Sequence, residues 1–472
     1  MSPSNRVESA VSDLFRRVEP VADDLGEVFA KRGHELALVG GPVRDVLLGR
    51  AGHDLDLTTD ARPEQVLEIV RDWADAFWTI GIEFGTVGAR KGDWQLEITT
   101  YRSEAYDPKS RKPEVRYGDT LEADLARRDF AVNAMAVRLP SHEFVDPHGG
   151  LRDLAGRVLR TPGTPEQSFG DDPLRMLRAA RFASQLGFTV DETAIDAMRD
   201  MAERIEIVSA ERIQTELDKL ICGPNPRAGL TLLVETGLAA HVLPELPKLR
   251  LEIDEHHRHK DVYEHTLIVL EQAIAQEAAG PDRVLRWAAL LHDVGKPKTR
   301  KNEPGGRVSF HHHEVVGAQM AKRRLSELKF PKEVTNDVAR LVELHLRFHG
   351  YGEGEWTDSA VRRYVRDADH LLDRLHKLTR ADCTTRNKRK AAALSRTYDE
   401  LEERIARLAE EEEIAKIRPE LDGNEIQEIL GIPPGPLVGR AYKFMMDIRM
   451  DEGMIGKEAA KERLLAWAAA NG

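Results

Sequence analysis

The spacing of apolar residues changes once along this chain, and that change limits the folds open to it. Over the first 150 residues short strand-like runs alternate with helical ones; from about residue 171 onward the pattern is helical almost throughout. Residues 35–39 read as a short buried strand stopped by Gly40-Gly41-Pro42, and residues 43–48 as one or two helical turns ended by Gly49. Residues 55–59 alternate like a strand, and 63–73 carry helical spacing behind a proline. Residues 86–89 and 94–101 are further strands, joined around Lys91-Gly92-Asp93. An α/β head with a small mixed sheet is expected, followed by all-α regions with helices at 174–186, 210–220, 262–275, 284–291 and 401–416. The run Glu410 to Glu413 reads as a solvated helix face, and 419–423 as a break before a final helical module capped by Asn424.

Composition narrows the class. A length of 472 residues suggests roughly three domains at about 100–200 residues each. With 41% hydrophobic and 32% charged residues the chain is neither disordered nor a membrane protein. No apolar run approaches the roughly 18 residues of a spanning helix, and the start lacks the basic and apolar regions of a secretory signal. Cys222 and Cys383 make neither a disulfide framework nor a metal-ligand spacing, so a reducing, cytoplasmic setting is expected. The net charge of −12 argues against wholesale wrapping of nucleic acid but leaves a local basic face open. Nothing implies a membrane or an obligatory protein partner.

Gly40-Gly41-Pro42-Val43-Arg44-Asp45 follows a strand and opens a helix, a turn that can aim backbone N–H groups at a phosphate, with Arg44 adding charge. The same tripeptide is also simply a tight turn. Asp54 and Asp56 follow closely, and on a strand they share one face. Two such carboxylates repel each other, and they are either the holders of a divalent cation, for which Mg²⁺ is the natural choice, or gatekeepers on an exposed strand edge. Glu97 is a third candidate carboxylate, as metal ligand, as base for a 3′-hydroxyl, or as a solvent-facing side chain. Arg127-Arg128-Asp129 and Asn133 could hold triphosphate oxygens and a ribose hydroxyl together, or form a surface ion-pair cluster.

In this order and spacing, Gly40-Gly41-x-Val43-Arg44-Asp45, Asp54-x-Asp56 and Arg127-Arg128-Asp129-Phe130-x-x-Asn133-Ala134 resemble the head motifs of class II CCA-adding tRNA nucleotidyltransferases. Bacterial poly(A) polymerases share these motifs, within the polymerase-beta-like nucleotidyltransferase superfamily. The resemblance continues through Asp146-Pro147-His148-Gly149-Gly150-Leu151-Arg152-Asp153-Leu154 to Asp171-Asp172-Pro173-Leu174-Arg175, where Asp171 replaces the family's usual Glu. It implies that Asp54 and Asp56 bind the metal, and that Asp129 and Asn133 recognise the ribose. It also implies that Asp172 and Arg175 read the base edge of CTP or ATP. The chemistry agrees: a carboxylate accepts from the exocyclic amino group that both bases carry and a guanidinium donates beside it, whereas UTP and GTP present a carbonyl. Asp172 before Pro173 is equally a helix-start signature. Arg175, Arg178 and Arg181 fall on one side of a helix and are expected to face nucleotide or RNA phosphate. The charged segment 102–119 resembles the family's flexible loop, absent from enzymes that add only C, so it favours an enzyme able to add A.

Twelve of the 17 histidines lie between His256 and His376. Leu290-Leu291-His292-Asp293-Val294-Gly295-Lys296-Pro297 closes an apolar helix on a His-Asp pair, an expensive placement unless it serves a site. His265, His292, Asp293 and Asp382 resemble the signature ligands of HD phosphohydrolase domains, and His313 and His345 the extra histidines of members that bind two metals. The resemblance implies a divalent transition metal (Mn, Fe, Co, Ni or Zn) and hydrolysis of phosphomonoesters or 2′,3′-cyclic phosphates. His256, His257 and His259 read as surface residues. Arg386, Lys388, Arg389 and Lys390 are either a solvated helix end or an RNA phosphate contact. The Gly/Pro turn at 431–440 resembles the family's tRNA-gripping tail.

The expected organisation is a nucleotidyltransferase head (1–160), a helical neck (161–250), an HD domain (251–395) and a helical tail (396–472). The expected activity is building the 3′-terminal CCA on tRNA from CTP and ATP. Poly(A) or A-only addition with the same head, or an HD phosphohydrolase with an RNA-binding head, are the rivals.

Overall fold

The computed structural model describes residues 20–50, 52–105, 114–251, 261–304, 307–351, 356–384, 388–412 and 418–471. They form two compact units, Met1–Pro247 and Lys248–Gly472. None of the described helices is long and apolar enough to cross a membrane.

The first unit is built on a seven-stranded mixed sheet. Its strands are β1 (Leu36–Val39), β2 (Asp54–Thr59), β3 (Ala76–Trp78), β4 (Thr86–Lys91), β5 (Trp94–Thr100), β6 (Ala136–Leu139) and β7 (Phe144–Val145), in the spatial order β3-β4-β5-β2-β1-β6-β7. Every pair is antiparallel except β2 with β5, which run parallel. All four residues of β1 are buried, as an uninterrupted apolar run in a central strand requires. The helix α1 (Gly41–Leu47) starts two residues before the expected Val43, because Pro42 fits the first turn, where its missing N–H costs nothing. Then α2 (Pro63–Trp73) buries Val66, Ile69, Val70 and Trp73, the i, i+3, i+4, i+7 stripe of an amphipathic helix.

Part of the expected loop at 102–119 is regular: Arg102–Ala105 pairs antiparallel with Glu114–Tyr117, and 106–113 lie outside the described residues. Beyond the sheet, α3 (Leu174–Leu186) is ended by the left-handed Gly187, and α4 (Ala210–Ile221) is capped by the Ser209 hydroxyl. These two helices pack on each other, and α3 also packs on Pro226–Glu235.

Among the described residues, the second unit is helical apart from a small pairing of Lys301–Glu303 with Arg307–Ser309. Its main helices are α5 (Val262–Ile274), α6 (Arg283–Leu291), α7 (His313–Glu327), α8 (Lys332–Leu344) and α9 (Leu372–Asp382); α5, α8 and α9 pack on α6, whose nine residues are all buried but the first, and α7 packs on α8. Two expectations are corrected here. The helix expected from 401 starts at Lys388 as α10 (Lys388–Glu412), since no Gly or Pro interrupts it and Tyr398, Leu401 and Leu408 bury one stripe; the basic run stands at its first end, and residues 413–416 and the side chains of Glu410 to Glu413 lie outside the described residues. The cap of Gly423–Leu430 is Asp422, not Asn424: its Oδ1 accepts the Asn424 and Glu425 N–H groups at 2.8 and 2.9 Å, while Glu425 Oε2 accepts the Asp422 N–H at 2.9 Å. Gly423–Leu430, Pro436–Glu452 and Lys457–Asn471 close around Ile426, Met445 and Leu464.

Candidate active site and metal centre

Parallel pairing sets Asp54 opposite Gln95 and Asp56 opposite Glu97. With side chains alternating along each strand, Asp54, Asp56 and Glu97 share one face of the sheet, while Leu55, Leu57, Leu96 and Ile98 are buried on the other. Burial pushes the Asp56 carboxyl above the usual carboxylate range, and Glu97 and Asp54 push it further, against the pull of Arg128 and Arg44. Three crowded carboxylates, one of them held unfavourably, suit a hard divalent cation.

Gly40 stands beside them at φ 75°, ψ −138°, a conformation open essentially to glycine alone. A Cβ there would lie 3.0 Å from Arg128 Nη1 and 3.7 Å from Asp56 Oδ2, so the turn passes between the cation and the acid. After Gly41, Arg44 turns inward. Its Nη1 donates to Asn133 Oδ1 at 2.6 Å, and Asn133 Nδ2 donates to Asp129 Oδ1 at 2.9 Å. Asp129 Oδ2 meets Arg178 Nη2 at 2.7 Å. Burial alone would raise the Asp129 pKa, but Arg178 and the hydrogen bonds from Asn133 and the Phe130 N–H hold it below the usual range. Arg44, Asn133, Asp129 and Arg178 thus form one connected chain.

Asp124, which sequence reasoning missed, anchors both arginines of the Arg127-Arg128 pair. Fully buried, it accepts from Arg127 Nη2 at 2.8 Å and from Arg128 Nη2 at 3.0 Å. Its spacing of three and four residues before two arginines on a helical stretch was the available signal.

Asp172 Oδ1 accepts the Leu174 N–H at 3.1 Å, and Oδ2 accepts from Arg212 Nη2 at 2.8 Å. Arg175 is buried; it donates to the Ser168 carbonyl and hydroxyl at 3.3 and 2.9 Å and to the Arg127 carbonyl. Arg181 pairs with Glu216 at 2.6 Å and lies 4.0 Å over the Phe182 ring. The expected arginine stripe is therefore matched residue by residue with protein acceptors: Arg178 keeps 37% of its side chain exposed, Arg181 only 12%. Arg212 and Glu216 were not found from sequence.

In the second unit, His265 lies on α5, His292 and Asp293 end α6, His313 begins α7, His345 follows α8 and Asp382 ends α9. Their ligand atoms form two groups, His265/His292/Asp382 and Asp293/His313/His345, each within 4.8 Å. All six expected residues are brought together, with Asp293 between the groups: Oδ2 is 3.2 Å from His292 Nε2, Oδ1 3.2 Å from His313 Nε2. His292, His313 and His345 each point Nδ1 at a backbone carbonyl, of Ala289, Phe310 and Val342, at 2.8, 2.8 and 2.6 Å. A carbonyl only accepts, so each ring when neutral carries its proton on Nδ1 and turns the Nε2 lone pair inward, the second-layer bonding of metal-binding histidines. Thr384 Oγ1, unanticipated from sequence, lies 3.2 Å from His265 Nδ1.

The electrostatics call for a cation. Although burial opposes it, Asp293 and Asp382 raise the His292 pKa to about 10, while burial and His292 push His345 down to about 3. His345 Nε2 is buried without a hydrogen-bond partner, an orphan that a metal ion would satisfy. Gly295 permits the assembly, since a Cβ there would fall 2.1 Å from the His313 carbonyl oxygen. The imidazole and carboxylate donors fit a transition metal.

Arg389 is exposed on α10; Arg386, the side chains of Lys388 and Lys390, and His256, His257 and His259 lie outside the described residues.

Fold and acidic site together define a nucleotidyltransferase, a class that depends on divalent metal. Residues 36–160 match the family model of the poly A polymerase head domain, 187–249 that named "Probable RNA and SrmB- binding site of polymerase A", and 262–409 the HD domain. An A-adding tRNA nucleotidyltransferase of Deinococcus radiodurans is 34% identical over 439 residues, 92% of this chain and 95% of that enzyme. A CCA-adding enzyme of Lactococcus lactis subsp. cremoris is 41% identical over 242 residues, 50% of this chain and 58% of that one. The crystal structure of the Bacillus stearothermophilus CCA-adding enzyme in complex with CTP aligns over 100% of this chain and 99% of its own, with a TM-score of 0.67 at 25% identity. The chain belongs to the tRNA nucleotidyltransferase and poly(A) polymerase family.

Proposed function

We propose that this enzyme builds or repairs the 3′-terminal CCA of tRNA in the cytoplasm, transferring CMP and AMP from CTP and ATP to the RNA 3′-hydroxyl and releasing pyrophosphate. The observation that carries the reading is the register of Asp56 against Glu97 beside the Gly40 turn. Bound Mg²⁺ would supply Lewis acidity at the reacting phosphate and favour ionisation of the attacking hydroxyl. The chain's own residues do the rest. Asp54 and Asp56 hold the ion, and Glu97 is a third ligand or receives the hydroxyl proton. Gly40, Gly41, Arg44 and Arg128 hold the triphosphate, whose charge they stabilise through the transfer. Asp129 and Asn133 bind the ribose. Asp172 accepts from the exocyclic amino group and Arg175 donates beside it, three of its five N–H groups already anchoring it to the protein. Arg178 and Arg181 support this nucleotide wall through Asp129 and Glu216. Arg386, Lys388, Arg389, Lys390 and the tail at 396–472 contact tRNA.

The six-residue centre of the second unit would bind Mn, Fe, Co, Ni or Zn and hydrolyse phosphomonoesters or 2′,3′-cyclic phosphates. A second reading of the head, A-only addition, is favoured by the similarity of the whole chain to the A-adding enzyme of Deinococcus radiodurans. One experiment decides between them. Transcripts of tRNA ending before CCA, after C and after CC are offered CTP, ATP or both, and the 3′ ends sequenced. Growth to CCA supports the proposal, and A added only after CC supports the second reading. Long A tails would mean a poly(A) polymerase, and no addition would overturn the head's assignment.

A further inference from the structure

Asp172 is gripped at both oxygens, and the two grips differ in origin. The Leu174 N–H on Oδ1 is local, the ordinary bond of a residue before a helix; Arg212 on Oδ2 comes from α4. One turn further along α4, on the same face, Glu216 takes Arg181 at 2.6 Å. This face of α4 therefore answers an acid before α3 with a cation, and a cation on α3 with an acid. Its apolar side, with Ile213 and Leu217 buried, keeps the helix in place.

Each carboxylate oxygen has two lone-pair directions. The Leu174 and Arg212 contacts occupy one on each oxygen and fix the plane of the group, so the remaining directions are fixed as well. Without Arg212 the carboxylate would be held at Oδ1 alone, and the terminal torsion of an aspartate is broad. A carboxylate free to turn can step back and let a water bridge it to a carbonyl, which removes the acceptor-against-acceptor clash that excludes uracil and guanine.

We infer that Arg212 is a specificity-determining positioning residue, one that orients Asp172 so that only a base carrying an exocyclic amino group is accepted. The inference rests on the proposed base-reading role of Asp172.

The test compares full-length Arg212→Met, which keeps the alkyl stem, and Arg212→Lys, which keeps the charge, with Asp172→Asn and the unaltered enzyme. Incorporation rates are measured with CTP and UTP on tRNA ending before CCA, and with ATP and GTP on tRNA ending in CC. Arg212→Met is expected to lower the C-over-U and A-over-G preferences by about tenfold, the size of one well-placed polar contact. Arg212→Lys is expected to restore most of that preference, at an unchanged melting temperature. If Asp172→Asn loses preference and Arg212→Met does not, the inference is overturned and the role of Asp172 stands. If both keep it, the base-reading role itself is wrong. A uniform loss of rate with all four nucleotides would make Arg212 merely structural and also overturn the inference. Should the Met variant unfold, Arg212→Gln is read by the same ratios.

Discussion

Arg128 donates to Asp124 Oδ2 at 3.0 Å, tying a side chain at the nucleotide turn to a carboxylate buried beneath it. Burial works against that charge, yet Arg128 and Arg127 hold the Asp124 pKa below the ordinary range. Asp124→Ala would strand both guanidiniums, at a stability cost of about 3 kcal/mol since they keep some solvent. Steady-state kinetics should show KM rising for CTP and ATP alike, by about tenfold, with no change in the preference for C and A over U and G. A change in preference would contradict a purely phosphate-holding role for Arg128.

The acidic face and the histidine centre should be separable. Asp54→Ala and Asp56→Ala should each abolish nucleotide addition, by about a thousandfold or more, with the fold retained by circular dichroism. His292→Ala should leave addition near its normal rate. An equal loss of nucleotide addition in Asp54→Ala and His292→Ala would refute the partition of the two sites.

Acid should reveal the pair of Asp129 and Arg178. The folded-state pKa of Asp129 is depressed, so its contribution to stability is full above the unfolded value of about 3.9 and is lost as pH falls through the lower folded value. Denaturant titrations should show stability declining below about pH 4, and a shallower decline in Asp129→Asn. Parallel curves would mean that this pair is not among the acid-labile contacts.

The histidine centre should bind two metal ions. Atomic absorption after loading with Mn²⁺ or Ni²⁺ should find two per chain, and one after His345→Ala. Stripping the metal should lower stability by about 2–4 kcal/mol, for loading at a hundred to a thousand times Kd. Metal-dependent turnover of 2′,3′-cyclic AMP or bis-p-nitrophenyl phosphate should vanish with His292→Ala. No turnover with any metal would leave a binding centre without hydrolysis.

Local pattern made much of this protein legible. Residues 63–73 and 174–186 could be read from spacing to the residue, because Pro63 and Gly187 mark the ends and the apolar stripes are regular. The pairs Asp54/Asp56 and His292/Asp293 were visible because their chemistry is costly without a site; Glu97 was one candidate reading among others, and His265, His313, His345 and Asp382 came from the resemblance to HD domains. What stayed hidden were partners across space. Asp172 meets Arg212, and Arg181 meets Glu216, through the packing of two helices, which leaves no periodicity in either segment. Thr384 was equally invisible, one hydroxyl after a helix end. The helix expected from 401 begins instead at Lys388, where the basic run stands at its end, and the buried Tyr398 and Leu401 continue one stripe.

The lone parallel pairing in the head sheet also has a kinetic meaning. Strands β2 and β5 cannot be joined by a tight hairpin; α2, β3 and β4 must be laid down between them first. The acidic face thus depends on closing a long loop, whereas each helix beside it is held by contacts close in sequence. A head in which β5 has not met β2 lacks the register that sets Asp56 opposite Glu97, and so has no reaction centre. Catalysis in this enzyme is therefore a more sensitive gauge of correct topology than any spectrum of its secondary structure.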